Sequence, residues 1–247
     1  MKKNIKLIAL DMDGTLVNDD GGVSDENAAT IKKAKEKGIH VVLSTGRPLD
    51  HCREIDDLLG RSSYIITVNG GEIYDENFTL VDSNPLEASH VRRLWEMTKE
   101  HDVHFWSTTK QGRFNSREPF EKEVEDYEWL KYGFDIVDDA ARERVLEELH
   151  ANPELEVTNS SPTNIEVNAI GVNKAAALAK VCKWLDITMD NVMACGDSLN
   201  DIAMIRESGF GVAMGNAQDV VKDAADWVTA TNVEHGVARA IEKVLES

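Results

Sequence analysis

Short apolar runs that end in polar residues or glycine recur in the first and last thirds of the chain. Helical patterns separate them, such as the segment from Ser24 to Gly38, in which apolar residues fall three or four positions apart. Strands that alternate with helices through short loops are typical of a doubly wound parallel sheet, so we predict an α/β fold. The predicted strands of this sheet are residues 5–10, 39–43, 64–68, 192–196 and 211–214, with a hairpin at 72–74 and 79–81.

A different pattern occupies residues 83–170. Strands here alternate between apolar and polar positions, which favours an antiparallel sheet with one face in solvent. The predicted elements are a helix over 86–101, a hairpin of 103–108 and 113–115, an acidic helix over 119–132, an apolar segment at 134–137, a helix over 140–151 and strands at 155–158 and 165–167. We therefore predict a core of residues 1–82 and 171–247 with an inserted α+β unit of residues 83–170, whose Trp and Tyr side chains are expected to be internal.

The composition narrows the classes of partner. Of 247 residues, 27 are Lys or Arg and 45 are Asp or Glu, for a formal net charge of -18. Nucleic acid is not expected as a partner because no dense basic cluster is present, and no apolar run is long enough to predict a membrane span. Three cysteines without metal-ligand spacing (Cys52, Cys182 and Cys195) predict reduced thiols and a cytoplasmic protein. The oligomeric state is not indicated.

Two pairs of carboxylates follow predicted strands of the core. Because side chains alternate along an extended chain, Asp11 and Asp13 leave the first strand on the same side, and Gly14 permits a sharp turn. Asp197 and Asp201 follow another strand, which ends at the same edge of a parallel sheet. Four converging acids repel one another unless a cation lies between them, and Mg²⁺ is the expected cation. For the first pair taken alone, a strand that ends in a polar turn is the alternative.

Three more polar residues are expected at this edge. Thr45 ends the second strand before a helix N-terminus, where a hydroxyl and backbone N–H groups can hold a phosphate, although a helix-capping threonine is the alternative. Asn69 follows the third strand. Lys174 opens a helix, where its charge opposes the helix dipole, so it requires another partner unless it is an ordinary surface lysine.

Together these segments resemble the four motifs of the haloacid dehalogenase superfamily of phosphoryl-transfer enzymes. The first motif is the apolar strand followed by Asp-Met-Asp-Gly-Thr-Leu at 11–16, the second is Thr45 and the third is Lys174. The fourth is Gly-Asp-Ser-Leu-Asn-Asp at 196–201. The inserted unit is similar to the α+β (C2B-type) cap of the Cof-type subfamily, although it is shorter than usual there. Ala175 is a departure, because Cof-type proteins usually carry Gly at that position.

The resemblance implies a Mg²⁺-dependent phosphatase that acts on a small phosphorylated metabolite, such as a sugar phosphate, through an aspartyl-phosphate. Asp11 would be the nucleophile, and Asp13 would be the general acid and base. In the family the catalytic set would be Asp11, Asp13, Thr45 and Lys174, the phosphate- or substrate-binding set Met12, Gly46, Arg47, Asn69 and Asn200, and the Mg²⁺ ligands Asp11, Asp13, Asp197 and Asp201.

Two other functions share part of this pattern. A sugar phosphomutase uses the same motifs and a similar cap but returns the phosphoryl group to its substrate. A non-enzymatic receiver-type signalling domain also uses strand-end Asp residues and a Lys, but it has no need for Asp13 or for an inserted unit. A dinucleotide-binding fingerprint is not predicted, because Met214 interrupts the glycine spacing that begins at Gly209.

Overall fold

The structure, a computed structural model, describes residues 4–246. The strands are β1 (Leu7–Leu10), β2 (His40–Ser44), β3 (Tyr64–Thr67), β4 (Glu72–Asp75), β5 (Leu80–Ser83), β6 (His104–Thr109), β7 (Gly112–Asn115), β8 (Trp129–Asp135), β9 (Leu155–Thr158), β10 (Asn164–Ala169), β11 (Val192–Gly196), β12 (Phe210–Ala213) and β13 (Trp227–Val228). The helices are α1 (Asp25–Glu36), α2 (Arg53–Leu58), α3 (Ala88–Glu100), α4 (Asp139–His150), α5 (Lys174–Trp184), α6 (Ile202–Glu207), α7 (Asp219–Ala224) and α8 (Gly236–Glu246).

The larger sheet has its first strand near its centre. Its order is β13-β12-β11-β1-β2-β3-β4-β5, parallel from β13 to β3 and antiparallel from there to β5. Side chains of β1 are buried on both faces. Ile8 and Leu10 pack in the layer that contains α1 and α8, whereas Leu7 and Ala9 pack in the layer that contains α5. This two-sided burial explains the uninterrupted apolar run. The predicted α/β fold is confirmed.

The topology leaves a crevice beside the end of β1. From β1 the chain continues to β2 on one side, whereas from β11, the other neighbour of β1, it continues outward to β12. The connecting helices therefore diverge at this point, and a crevice remains beyond the carboxyl ends of β1 and β11. Ligands of open α/β sheets bind in such crevices.

The smaller sheet is antiparallel, in the order β7-β6-β8-β10-β9. One of its faces packs under α3 and α4 through a cluster of apolar side chains that includes Phe105, Tyr132 and Phe134. The opposite face carries polar residues and is turned toward the end of the larger sheet. Lys131 and Glu166 on this face are 3% exposed. The prediction that the polar face lies in solvent is therefore wrong, because the alternation arises from a buried polar surface.

The acidic helix predicted over 119–132 is also wrong. Residues from Pro119 onward form a loop, a single 3₁₀ turn at Val124–Asp126, and then β8, the central strand of the smaller sheet. Trp129 is 1% exposed, and its indole N–H donates to the Val124 carbonyl at 2.7 Å. The abundant Glu and Asp residues suggested a helix, but burial of the aromatic residues at the end of this segment determines an extended conformation.

Within residues 4–246, no helix has both the length and the apolar character that crossing a bilayer requires. The three cysteines are unpaired and buried, and burial raises the pKa of the Cys195 thiol to about 12.

Candidate active site

The nucleophile candidate and the fourth motif meet at the crevice. Leu10 pairs with Cys195 in the sheet register, and the Asp11 amide donates to the Cys195 carbonyl at 3.1 Å. The next residues of the two strands therefore emerge side by side, and Asp11, Asp197 and Asp201 each place a carboxylate oxygen within 4.8 Å of the others. The structure thus brings together three of the four predicted acids.

Lys174 is the cation of this group. It is the first residue of α5, is 0% exposed, and donates from Nζ to Asp11 Oδ1 at 2.6 Å and to Asp201 Oδ1 at 2.7 Å. The Asn173 side chain caps the same helix by accepting from the Ala176 amide at 2.9 Å. Two buried carboxylates offset both the loss of hydration and the unfavourable dipole at this position.

The pKa values show an excess of negative charge. Burial raises the pKa of Asp11 well above its ordinary value, opposed by Lys174 and reinforced by Asp201 and Asp197. Burial and then Asp201 raise the pKa of Asp197 to about 6. Burial alone would lower the pKa of Lys174, but Asp11 and Asp201 raise it. One ammonium group is therefore shared among three carboxylates.

These residues fit a hard divalent cation. The donor set consists of carboxylate oxygens, which are the ligands that Mg²⁺ and Ca²⁺ prefer. Thr15 Oγ1 donates to Asp197 Oδ1 at 3.1 Å and orients this carboxylate. Gly14 leaves the necessary space, since a Cβ atom there would lie 2.6 Å from Asp197 Oδ2. A cation at this position would balance the charge that Lys174 leaves uncompensated.

Asp201 also organises its own loop. Its Oδ2 accepts from the Asp197 amide at 3.0 Å and from the Ser198 amide at 3.1 Å, while Oδ1 accepts from Lys174. Asp201 is 0% exposed and is bonded to two backbone amides, whereas Asp197 is only partly buried and accepts from the hydroxyl groups of Thr15 and Ser198. Asp11 and Asp197 are therefore the better candidates for direct contact with a cation, with Asp201 holding the shape of the site.

The fourth predicted acid points elsewhere. The Asp13 side chain is 62% exposed and accepts two hydrogen bonds from Arg47, from Nε at 2.8 Å and from Nη2 at 2.5 Å. The hydrogen bond with Asp13 raises the pKa of Arg47. Asp13 and Arg47 both line the cavity, and their side chains face each other. Any contribution of Asp13 to a metal would therefore come from its backbone carbonyl.

The second motif forms a tight loop beside these acids. Thr45 is fully buried, and its Oγ1 accepts from the Arg47 amide at 3.1 Å. Gly46 lines the cavity. Met12 contributes a buried side chain to the sheet core, and its carbonyl accepts the Leu16 and Val17 amides at 3.0 and 2.8 Å. Only its backbone could contact a phosphate.

The loop after β3 is held in a strained conformation. Val68 and Asn69 have φ values of 52° and 60°, in the left-handed region, which costs a non-glycine residue about 1–3 kcal/mol. The Val68 amide donates to the Arg47 carbonyl at 3.0 Å, and Asn168 of β10 donates to the Val68 carbonyl at 3.1 Å. These bonds hold the Asn69 side chain toward the cavity side of the sheet.

A buried polar network joins the two sheets above the site. Asn69 Nδ2 donates to Glu166 Oε2 at 2.5 Å, and Asn200 Nδ2 donates to Asn69 Oδ1 at 3.2 Å. Lys131 Nζ donates to the Gly46 carbonyl at 2.9 Å and lies 3.4 Å from Glu166 Oε1. Burial alone would raise the pKa of Glu166, but Lys131 and Asn69 lower it. The network fixes the smaller sheet over the second-motif loop.

The space between the sheets is a cavity of about 810 Å³. Its floor carries Asp11, Asp13 and Asn200. Its roof is the polar face of the smaller sheet, which we define by Trp106, Thr108, Arg113, Asn115, Lys131, Asn164 and Glu166.

Sequence reasoning missed three of the buried polar residues of the site. Thr15 lies in the first motif without an assigned role, Glu166 lies in a strand whose alternation indicates solvent, and Lys131 lies in the segment predicted as an acidic helix. The signal was present for Glu166: polar residues at every second position of β10 identify a face, and only the partner of that face is wrongly inferred.

Comparison with known proteins identifies the class that this fold and site define. The family profile of the haloacid dehalogenase-like hydrolases matches residues 8–142 and 114–241. The chain belongs to this family, and it is a phosphatase that acts on phosphorylated small molecules.

Two relatives and one solved structure are similar to this chain over nearly its full length. The chain is 58% identical over 238 residues to the 5-amino-6-(5-phospho-D-ribitylamino)uracil phosphatase YcsE of Bacillus subtilis, covering 96% of this chain and 95% of the relative. It is 31% identical to a phosphoglycolate phosphatase of Methanobrevibacter smithii, covering 97% of this chain and 98% of that one. Among solved structures, a haloacid dehalogenase-like hydrolase from B. subtilis superposes with a TM-score of 0.88 at 27% identity, covering 96% of this chain and 99% of that one.

A further structural match concerns the fold alone. The subclass IIB sugar phosphatase BT4131 superposes with a TM-score of 0.85 at 24% identity, covering 96% of this chain and 98% of that one. The two chains therefore share a fold.

Proposed function

We propose that the chain hydrolyses 5-amino-6-(5-phospho-D-ribitylamino)uracil to the free ribitylamino compound and inorganic phosphate. The observation that supports this substrate is the 58% identity, over almost the whole of both chains, to a phosphatase named for it. In this proposal, residues 83–170 form the cap that encloses the ribityl chain and the ring, and residues 1–82 and 171–247 form the catalytic core.

The first chemical step is assigned to Asp11. Its free carboxylate oxygen attacks phosphorus, and the bond from phosphorus to the ribityl 5′-oxygen breaks. Asp13 delivers a proton to the departing oxygen, because an alkoxide is a poor leaving group. Lys174 and the Thr45–Gly46 loop stabilise the equatorial oxygens, with Asn200 and Asn69 holding that loop and the roof in position.

The second step regenerates the enzyme. Asp13, now ionised, takes a proton from a water molecule, whose oxygen attacks phosphorus and releases Asp11 and inorganic phosphate. Asp11, Asp197 and the Asp13 carbonyl are the groups that would hold Mg²⁺, with Asp201 behind them. When bound, Mg²⁺ would supply charge neutralisation between the nucleophile and the phosphoryl group. Arg47 donates to both Asp13 carboxylate oxygens in the structure, so Asp13 must break these two hydrogen bonds before it can carry the proton for the leaving group.

Asp13→Asn tests the two roles of this residue. It removes proton transfer but leaves the backbone carbonyl, so we expect turnover of the ribityl ester to fall ~10²–10⁴-fold. With p-nitrophenyl phosphate, whose leaving group departs without a proton, we expect a burst of p-nitrophenol followed by slow turnover as the aspartyl-phosphate accumulates. Rapid-quench kinetics on both esters provide the measurement. Equal slowing of both esters without a burst would contradict the acid–base role.

The products distinguish the phosphatase from a mutase. The wild-type enzyme should release inorganic phosphate in equal amount to the ester consumed. Accumulation of glucose 6-phosphate from glucose 1-phosphate, without inorganic phosphate, would instead show a phosphomutase.

A further inference from the structure

Trp106 is the aromatic side chain of the otherwise polar roof. It belongs to β6 and pairs with Gly133 of β8, whose other neighbour in register is Glu166 of β10. Other aromatic residues of the smaller sheet, such as Phe105 and Tyr132, pack on the opposite face beneath the helices. Trp106 is half-buried and lines the cavity. The expectation that the cap tryptophans are internal therefore does not hold for this one.

The indole is held flat by its neighbours. A Cβ atom at Gly133 would lie 2.3 Å from Cε2 and Cζ2 of Trp106, so the ring lies directly across the glycine backbone. The Asp135 side chain interacts with the indole side chain of Trp106, and Lys131 Nζ lies 4.9 Å from the ring centroid. The close glycine backbone and the cation–π contact together fix the orientation of the ring.

The ring also lies close to the reaction centre. Lys131, which contacts the indole, donates to the Gly46 carbonyl at 2.9 Å. Gly46 adjoins Thr45, which we assign to phosphoryl stabilisation. The indole and the phosphate loop are thus separated by a single side chain, that of Lys131, which is buried with Glu166 at the edge of the cavity.

We propose that Trp106 is a stacking platform for a planar heteroaromatic ring on the leaving group. This inference rests on the proposed function, since it assigns the uracil ring to a particular residue. A charged roof without an aromatic surface would suit a sugar phosphate equally well. An oriented indole adds favourable energy only for a ligand that has a π-face of its own.

The test compares two esters that differ only in the ring. The aminouracil ribityl ester carries it, whereas ribitol 5-phosphate has the same phosphate and polyol without it. In Trp106→Ala we expect kcat/KM for the ring-bearing ester to fall about 5- to 150-fold, mainly through KM, and kcat/KM for ribitol 5-phosphate to change less than about twofold. Trp106→Phe, which keeps a flat ring, should recover part of the loss. Trp184→Ala removes a 44% exposed tryptophan of α5 outside the cavity and should leave both esters unaffected.

The outcomes separate the inference from the function on which it rests. A wild-type enzyme that does not hydrolyse the ring-bearing ester would overturn the proposed substrate. A wild-type enzyme that hydrolyses both esters, but loses them equally in Trp106→Ala and regains neither in Trp106→Phe, would overturn the platform alone. Circular dichroism shows whether Trp106→Ala is folded. If it is not, Trp106→Phe replaces it in the comparison, and the supporting result is then a loss of kcat/KM for the ring-bearing ester at least about threefold greater than for ribitol 5-phosphate.

Discussion

Stabilisation by Mg²⁺ should depend on pH in a way that the buried carboxylates determine. The pKa of Asp197 is raised from 3.8 to about 6, and that of Asp11 is raised as well. Between about pH 4 and pH 6 Asp197 therefore binds more protons in the metal-free folded chain than in the unfolded chain, and its contribution to stability falls as the pH rises through this interval. A cation at the site reverses this loss, because it favours the ionised carboxylates.

The magnitude follows from the position of the pKa. At pH 5, one unit below the pKa of Asp197, about nine in ten metal-free molecules carry a proton on this carboxyl, whereas at pH 7 about one in ten does. Binding must displace that proton, so the apparent affinity for Mg²⁺ at pH 5 is about tenfold weaker. At saturating Mg²⁺ the stabilisation then shrinks by about 1.4 kcal/mol, or roughly 3–6 °C in Tm. Titration of Asp11 would increase this difference.

The assay is thermal unfolding in saturating MgCl₂ and in EDTA, each at pH 5 and at pH 7. The difference between the two media removes the contribution of titrating groups elsewhere in the chain. Asp197→Asn is the control, since it should abolish most of the Mg²⁺-dependent shift in Tm at both pH values. An equal shift of the wild-type protein at both pH values would refute the assignment of Asp197 as a metal ligand with a raised pKa.

Two further predictions concern residues that shape the site. Gly14→Ala should lose both stability and Mg²⁺ affinity, because the new Cβ atom meets the Asp197 side chain. Gly38→Ala is the control, since Gly38 has a similar φ (+79° against +76°) but open space around it, and it should lose only about 1–2 kcal/mol of stability in urea unfolding. Equal behaviour of the two variants would contradict a steric contact at Gly14. Lys131→Met should cost about 3–5 kcal/mol near pH 7, since it leaves Glu166 buried without its cation. The lowered pKa of Glu166 stabilises the wild type above about pH 4.5, and this stabilisation is lost as the pH falls. The difference in free energy of unfolding between the variant and the wild type should therefore shrink toward pH 4. A difference that stays constant with pH would argue against the ion pair.

The core of the site could be predicted from the sequence because parallel strands impose it. Once β1 and β11 are recognised as neighbouring buried strands, the residues after them must meet at one edge of the sheet. Short-range patterns suffice for this inference about the acids, whereas the position of Lys174 beside them is implied only by the resemblance to the third motif. The proximity of Asp11, Asp197 and Asp201 could therefore be inferred without any measured distance.

Other features depend on long-range contacts that leave weaker traces. Nothing local to Arg47 shows that its guanidinium engages Asp13 across 34 positions of the chain. The alternation in β6 and β10 is equally compatible with solvent and with a polar cavity. The acidic segment before β8 has the composition of a helix, and only the packing of Trp129 beneath α3 and α4 makes it extended.

The return of the chain from β10 to α5 limits modular exchange of the inserted segment. Only residues 170–173 separate β10 from Lys174, and Asn173 both caps α5 and donates to Glu156 of β9 at 3.0 Å. A chimera that joins a foreign insert at this end must therefore supply a residue compatible with both contacts, or the first turn of α5 frays and the ammonium loses its position. The opposite junction, near Asn84, carries no residue of the reaction centre. Recombination between relatives is thus expected to tolerate variation at one end of the insert far better than at the other.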